Sequence, residues 1–164
     1  MISAGVHQGW VGGYGDTLVS AQAVAVALQI PFSGFLELRA EGFLGEGTEL
    51  FAPARVRWHQ VITLDDLPIQ SKGGWVQLLL RPHRELELGG GYGIDDPRDE
   101  DVQRYSGPLP SRLENTAWEV HGHWRRGPLV LAGEYRRIET TYVSGALAAL
   151  QPLNHVNVAL GVVF

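Results

Sequence analysis

Glu119, His121 and His123 are spaced two residues apart, which puts a carboxylate and two imidazoles on one side of a β-strand, within reach of a single metal ion. Spacing fixes no further ligand, and the same row reads more simply as polar residues packed against charged neighbours. The run Asp95-Asp96-Pro97-Arg98-Asp99-Glu100-Asp101 offers the oxygen donors that calcium takes. It lacks the spacing and turn glycine of a calcium-binding loop, so it reads as a solvated acidic loop. A nucleophile search finds no Gly-x-Ser-x-Gly. Ser106, Ser111 and Ser144 have no neighbouring base fixed by spacing, and His155 and Asn157 have no serine partner. Gly12-Gly13-Tyr14-Gly15 and Gly89-Gly90-Gly91 read as turns, bends or close backbone approaches rather than phosphate cradles. The expectation is a protein that is not an enzyme, with no catalytic residue, metal or cofactor.

The elements that would carry these residues follow a period of two, the signature of β-strands. In the last segment Val156, Val158, Leu160, Val162 and Phe164 alternate with His155, Asn157, Ala159, Gly161 and Val163. In residues 114–126, Trp118, Val120 and Trp124 share a side with Thr116 and Gly122, opposite Asn115, Glu119, His121, His123 and Arg125. Leu36, Leu38, Ala40 and Leu44 oppose Glu37, Arg39 and Glu41, while Leu86, Leu88 and Tyr92 oppose Glu85, Glu87, Gly89 and Gly91. Val24, Val26, Leu28 and Ile30 oppose Ala23, Ala25, Ala27 and Gln29. Weaker alternation marks 74–82 and 129–142, and a first strand is expected from residue 2 to about residue 14. That makes about eight strands of roughly 9–13 residues, the length of tilted strands crossing a bilayer.

Tight turns are expected at Pro31-Phe32-Ser33-Gly34, Pro82-His83-Arg84 and Arg126-Gly127-Pro128, with long links over 45–73, 95–113 and 143–154. Short turns at one end and long polar loops at the other form the layout of an outer-membrane barrel. The chain of 164 residues is 45% apolar and 19% charged, so it is neither disordered nor a bundle of membrane helices. The charge-free stretch 18–36 is broken by Ser20, Gln22, Gln29, Pro31, Ser33 and Gly34, too often for a spanning helix. Thirteen basic against 18 acidic side chains leave a net charge of −5 and no basic run, so no nucleic-acid partner is expected. Cysteine is absent, so no disulfide staples the fold. No repeat beyond the hairpin unit and no interdomain linker is evident, so residues 1–164 read as one domain. Met1-Ile2-Ser3-Ala4-Gly5 does not read as an export leader, so the leader and earlier strands are expected upstream.

Alternation alone does not say which side faces inward. A soluble sheet turns its apolar side to a core, whereas a membrane barrel turns it to lipid and its charges to the lumen. Trp75, Trp118, Trp124, Tyr92, Tyr135 and Phe164 are expected near strand ends, as an interfacial girdle requires. The lumen-facing charged candidates are Glu37, Arg39, Glu41, Glu85, Glu87, Glu119, His121, His123, Arg125, Glu134 and Arg136.

Gly73-Gly74-Trp75-Val76-Gln77, Arg81-Pro82 and Gly91-Tyr92-Gly93-Ile94-Asp95-Asp96-Pro97 resemble C-terminal strands of large porin-like outer-membrane proteins of Gram-negative bacteria. So do Gly133-Glu134-Tyr135-Arg136-Arg137, Thr140-Thr141-Tyr142 and Asn154-His155-Val156-Asn157 leading to Phe164, and the resemblance extends over roughly residues 18–164. It implies an all-β, antiparallel up-and-down transmembrane β-barrel of about eight strands or the C-terminal part of a larger one, in the bacterial outer membrane. It implies a passive channel for small solutes, with lipid as surroundings. The terminal strand, through Val156, Val158, Leu160, Val162 and Phe164, looks like the signal read by the barrel-assembly machinery. Homo-oligomerisation stays open. The alternatives are a closed eight-stranded structural or adhesive barrel without a pore, and a soluble lipocalin-like carrier, for which Gln8-Gly9-Trp10 is the hint.

Overall fold

The structure, a computed structural model, describes residues 1–12, 18–47, 68–104, 112–143 and 152–163. Its strands are β1 (Ile2–Gly12), β2 (Leu18–Pro31), β3 (Leu36–Glu46), β4 (Gln70–His83), β5 (Leu86–Pro97), β6 (Arg112–Arg126), β7 (Leu129–Tyr142) and β8 (Leu153–Val162). A short helix, α1 (Asp99–Arg104), lies between β5 and β6. All eight strands form one antiparallel sheet in chain order, each hydrogen-bonded to its sequence neighbours. Among the described residues β1 and β8 pair with one neighbour each and not with one another, so the sheet is open. No described helix is long and apolar enough to cross a membrane, which says nothing of crossing by strands.

Three expected tight connections join β2 to β3, β4 to β5 and β6 to β7. Gly127 adopts φ +58°, which L side chains resist, and Pro128 follows it between the paired Arg126 and Leu129. A glycine at the first central position of a two-residue hairpin matches the right-handed twist of its strands. In the β4–β5 hairpin Leu80 pairs with Leu88 and His83 with Leu86, so β4 carries an extra residue. Pro82 sits in that bulge, where a ring without an N–H does least harm to the ladder. The turn itself is Arg84-Glu85. This corrects the expectation for Glu85, which lies in the turn and not on a strand face.

Two other expectations need correction. The acidic segment 95–101 is not one loop. Asp95 and Asp96 end β5 on opposite faces, and Asp99, Glu100 and Asp101 form the first turn of α1, where the helix dipole favours negative charge. The helix is tied to β4 because Gln70 N donates to Asp101 Oδ2 at 3.1 Å and Arg98 N donates to Gln70 O at 2.8 Å. Nearby, Ile69, Pro97 and Val102 are buried. The aromatic placement also differs. Trp75, Tyr92, Trp118 and Tyr135 lie near the middles of their strands, and Trp75 shares the face of Glu41 and Gly93. Trp124 lies near a strand end; Phe164 and Tyr14 fall outside the described residues.

The register keeps the period of two in phase across all seven ladders. Directly paired residues share a face, and pairs such as Val24–Leu44, Leu38–Leu78, Val76–Tyr92, Tyr92–Trp118, Val120–Tyr135 and Tyr135–Val156 run without a change of side. This apolar face is exposed: Val158 is 75%, Leu160 77% and Val120 51% accessible. Among the described residues no dry core lies between layers. The buried apolar residues among those described are Ala21, Ala23, Ile69, Leu79 and Val102.

Glycines let neighbouring strands approach closely. A Cβ on Gly74 would collide with the Glu41 carbonyl oxygen, whereas one on Gly34, in the β2–β3 turn, would meet nothing within 4 Å. Gly74→Val is therefore expected to lower the equilibrium urea-unfolding stability of the refolded protein by about 1–3 kcal/mol, the usual cost of overpacking. Gly34→Ala is expected to leave it unchanged.

Candidate functional site: the ionised face of the sheet

The candidate residues stand on the face opposite the apolar one because each occupies the alternate position of its strand. The register places His7, Glu37, Arg39, Glu41, Glu87, Asp95, Glu119, His121, His123, Arg125, Glu134, Arg136 and His155 on it. Arg81, at the bulge, reaches the same side through its partners. Every expected lumen-facing residue except Glu85 is thus on one face, and His7, Arg81, Asp95 and His155 join them.

Two networks organise the charges. At the tight-turn end Glu37 is the centre. It is 7% exposed and accepts from Gln29 Nε2 at 2.9 Å, from Arg81 Nη1 at 3.1 Å and from Arg39 Nε. Arg81 Nε also donates to Glu87 Oε2 at 2.6 Å. Four strands from β2 to β5 are thereby bridged by two carboxylates and two guanidiniums, a balanced set. A charge this shielded persists because ionised partners satisfy its oxygens.

The second network runs from β4 to β8. Arg136 Nη2 donates to Glu119 Oε2 at 2.8 Å and lies 3.3 Å from Glu134 Oε1. Glu119 Oε1 accepts from Gln77 Nε2 at 3.3 Å, and His121 Nδ1 lies 3.6 Å from it. Asn157 Nδ2 donates to Glu134 Oε1 at 3.2 Å. One arginine faces two carboxylates here, so the set keeps a negative charge.

The reach from β4 to β6 depends on β5. Gly89, Gly91 and Gly93 present no side chain on the ionised face. The His121 ring lies over Gly89, and a Cβ on Gly91 would stand 3.6 Å from Glu119 Cγ and 3.7 Å from Gln77 Cβ. Side chains of the two flanking strands therefore meet across the glycine strand. The triple glycine was visible in sequence, but its purpose depends on which residues flank it, and that needs the register. Phe43 similarly covers Gly73.

This face holds a hollow of about 400 Å³ lined by Gln77, Glu119, His121, Glu134, Arg136 and Asn157 among others. Glu119, His121 and His123 do share a side, but no group of three or more His, Cys, Asp or Glu among the described residues is arranged to hold a metal ion. Ser106, Ser111 and Ser144 lie outside the described residues.

The apolar face is divided by height. Glu46, Lys72, Asp96, Glu114, Arg137 and Glu139 stand on it at the long-link end, and Arg126 at the tight-turn end. Between them, roughly nine residues of β3, β5, β6 and β8 carry no charge on this side, comparable to the 9–11 of a tilted spanning strand. Tyr92, Trp118 and Tyr135 mark the upper border of that band, with the Trp118 and Tyr135 rings 5.2 Å apart and Tyr135 Oη donating to Asn154 Oδ1 at 2.8 Å. Though mid-strand, these rings border the band because the strands continue past it.

No family model, no curated protein and no solved structure matches the chain.

Glu119 and Arg136 are expected to be energetically coupled. In a double-mutant cycle with Glu119→Gln and Arg136→Met, measured by urea unfolding, the double variant should lose about 1 kcal/mol less than the sum of the singles.

Proposed function

We propose that the chain forms wall of an outer-membrane β-barrel, belongs to the C-terminal strands of a porin-like protein, and contributes to a passive channel for small solutes. The observation that carries this reading is the uncharged, exposed belt that continues across eight strands opposite a face rich in ion pairs. In water such a belt is an extreme apolar patch; in a bilayer it is the lipid-facing surface and the charges line an enclosed interior. A lipocalin-like carrier needs the opposite arrangement, with Val158, Leu160 and Trp118 around a dry centre, and all three are exposed.

Hydrocarbon tolerates no unpaired sheet edge, so the membrane reading requires closure. Further strands adding to β1 and β8 would give a wider barrel with room for solute. The even strand count favours a second reading, because β1 and β8 run antiparallel and could close directly. Eight strands leave an interior that side chains fill, which makes a structural barrel without a pore. In both readings β8 is the strand offered to the assembly machinery.

Conductance, gel migration, behaviour in plain buffer and variant stability test the proposal. The full-length parent protein reconstituted in planar bilayers is expected to give stepwise conductance. Heat-modifiable gel migration of the 164-residue chain without conductance would instead support the closed barrel, and a monodisperse fold in plain buffer would sink both. Val120→Arg, in the middle of the belt, is expected to reduce folding stability in lipid vesicles by about 2–4 kcal/mol, with Asn157→Arg on the other face costing less.

A further inference from the structure

The ionised face has a charge balance that its histidines can reverse. Among the described residues its acids are Glu37, Glu41, Glu87, Asp95, Glu119 and Glu134, against Arg39, Arg81, Arg125 and Arg136, an excess of two negative charges. Four of the six histidines in the chain, His7, His121, His123 and His155, occupy the same face. Histidine is the side chain whose charge ordinarily changes between pH 5 and 8. Four added protons turn an excess of two negative charges into an excess of two positive ones.

Placement makes those protons count. His121 stands opposite Glu134 on β7 and beside Glu119, with Gly89 its partner on β5. His123 is opposite Glu87 on β5 and Ala132 on β7, with Arg125 next along its own face. His155 is opposite Arg136 on β7. His7 is opposite Ala23 on β2, whose ionised-side positions carry no titratable group. His121 and His155 are therefore set among the residues of the second network, which already holds surplus negative charge, while His123 faces Glu87 of the first. Glu41 adds to that surplus, since among the described residues it makes no ion pair.

We infer that this face sets ion preference in the interior it lines: it favours cations at neutral pH and turns toward anions as His7, His121, His123 and His155 take up protons. The inference rests on the channel reading above and specifies which solutes that wall would favour. Wall charges set the field a permeating ion meets, and rings of acidic or basic side chains bias passage accordingly.

The test is the reversal potential of the full-length parent protein in planar bilayers under a potassium chloride gradient, read from pH 8 to about pH 5. The cation-over-anion permeability ratio is expected to exceed one at pH 8 and to fall several-fold on acidification. His7→Gln, His121→Gln, His123→Gln and His155→Gln combined should abolish most of that fall. The pair His121→Gln and His123→Gln should remove about half of it, which keeps the test decisive if the fourfold variant fails to assemble. Glu41→Gln should lower the ratio at pH 8. Steady conductance whose ion preference ignores pH, or whose pH response survives the histidine replacements, overturns this inference and leaves the channel standing. A parent protein that folds in the bilayer and never conducts overturns both.

Discussion

The arrangement depends on register. A β-strand repeats every two residues, so a slip of one position in any ladder would move that strand's apolar set to the other side. Seven ladders keep phase, including two with irregularities, at Leu80/His83 and at Arg112/Glu114. Both lie toward strand ends, where an added residue leaves the rest of the strand in phase. The two-faced sheet, the charge networks and the aromatic border all follow from that phase.

Once phase is set, the two faces solve different problems. The ionised side is knitted by hydrogen bonds between neighbouring strands and by one that skips a strand, which requires the strand between to be nearly bare of side chains. Gly89, Gly91 and Gly93 supply it. Gly91 lies between Gln77 and Glu119, and the bond between those two is the direct link from β4 to β6. Among the described residues the apolar side has no bond that skips a strand and is organised by height, with its charges at the two ends and its rings near one border. Arg137 pairs with Glu139 at 2.9 Å and Lys72 with Asp96 at 3.1 Å, both at that end.

Strand order, hairpins and faces were legible from the sequence because alternation and turn chemistry are local. Val156 to Val162, the Glu37–Arg39–Glu41 row and Gly127-Pro128 each announce themselves within a few residues. What was not legible involves distance. The burial of Glu37 depends on Arg81 more than forty positions away, which no spacing rule connects. Pro82 reads as the start of a turn, yet it occupies a bulge and displaces the turn to Arg84-Glu85, taking Glu85 off the strand. The acidic segment lacks the apolar periodicity that marks a helix, so α1 was hidden; what holds it is its bonding to Gln70 and the buried Val102. The positions of Tyr92, Trp118 and Tyr135 were misread because strand ends and band borders are different things when strands outrun the band.

Among the described residues, two unpaired margins flank the sheet. Each of β1 and β8 has a neighbour on one flank, and the outer flank carries amide and carbonyl groups that any extended peptide could zip onto. Combined with a water-averse surface, such margins make the newly made chain adhesive to itself. In water, margin against margin and apolar face against apolar face favour insoluble stacks of the chain over separate molecules.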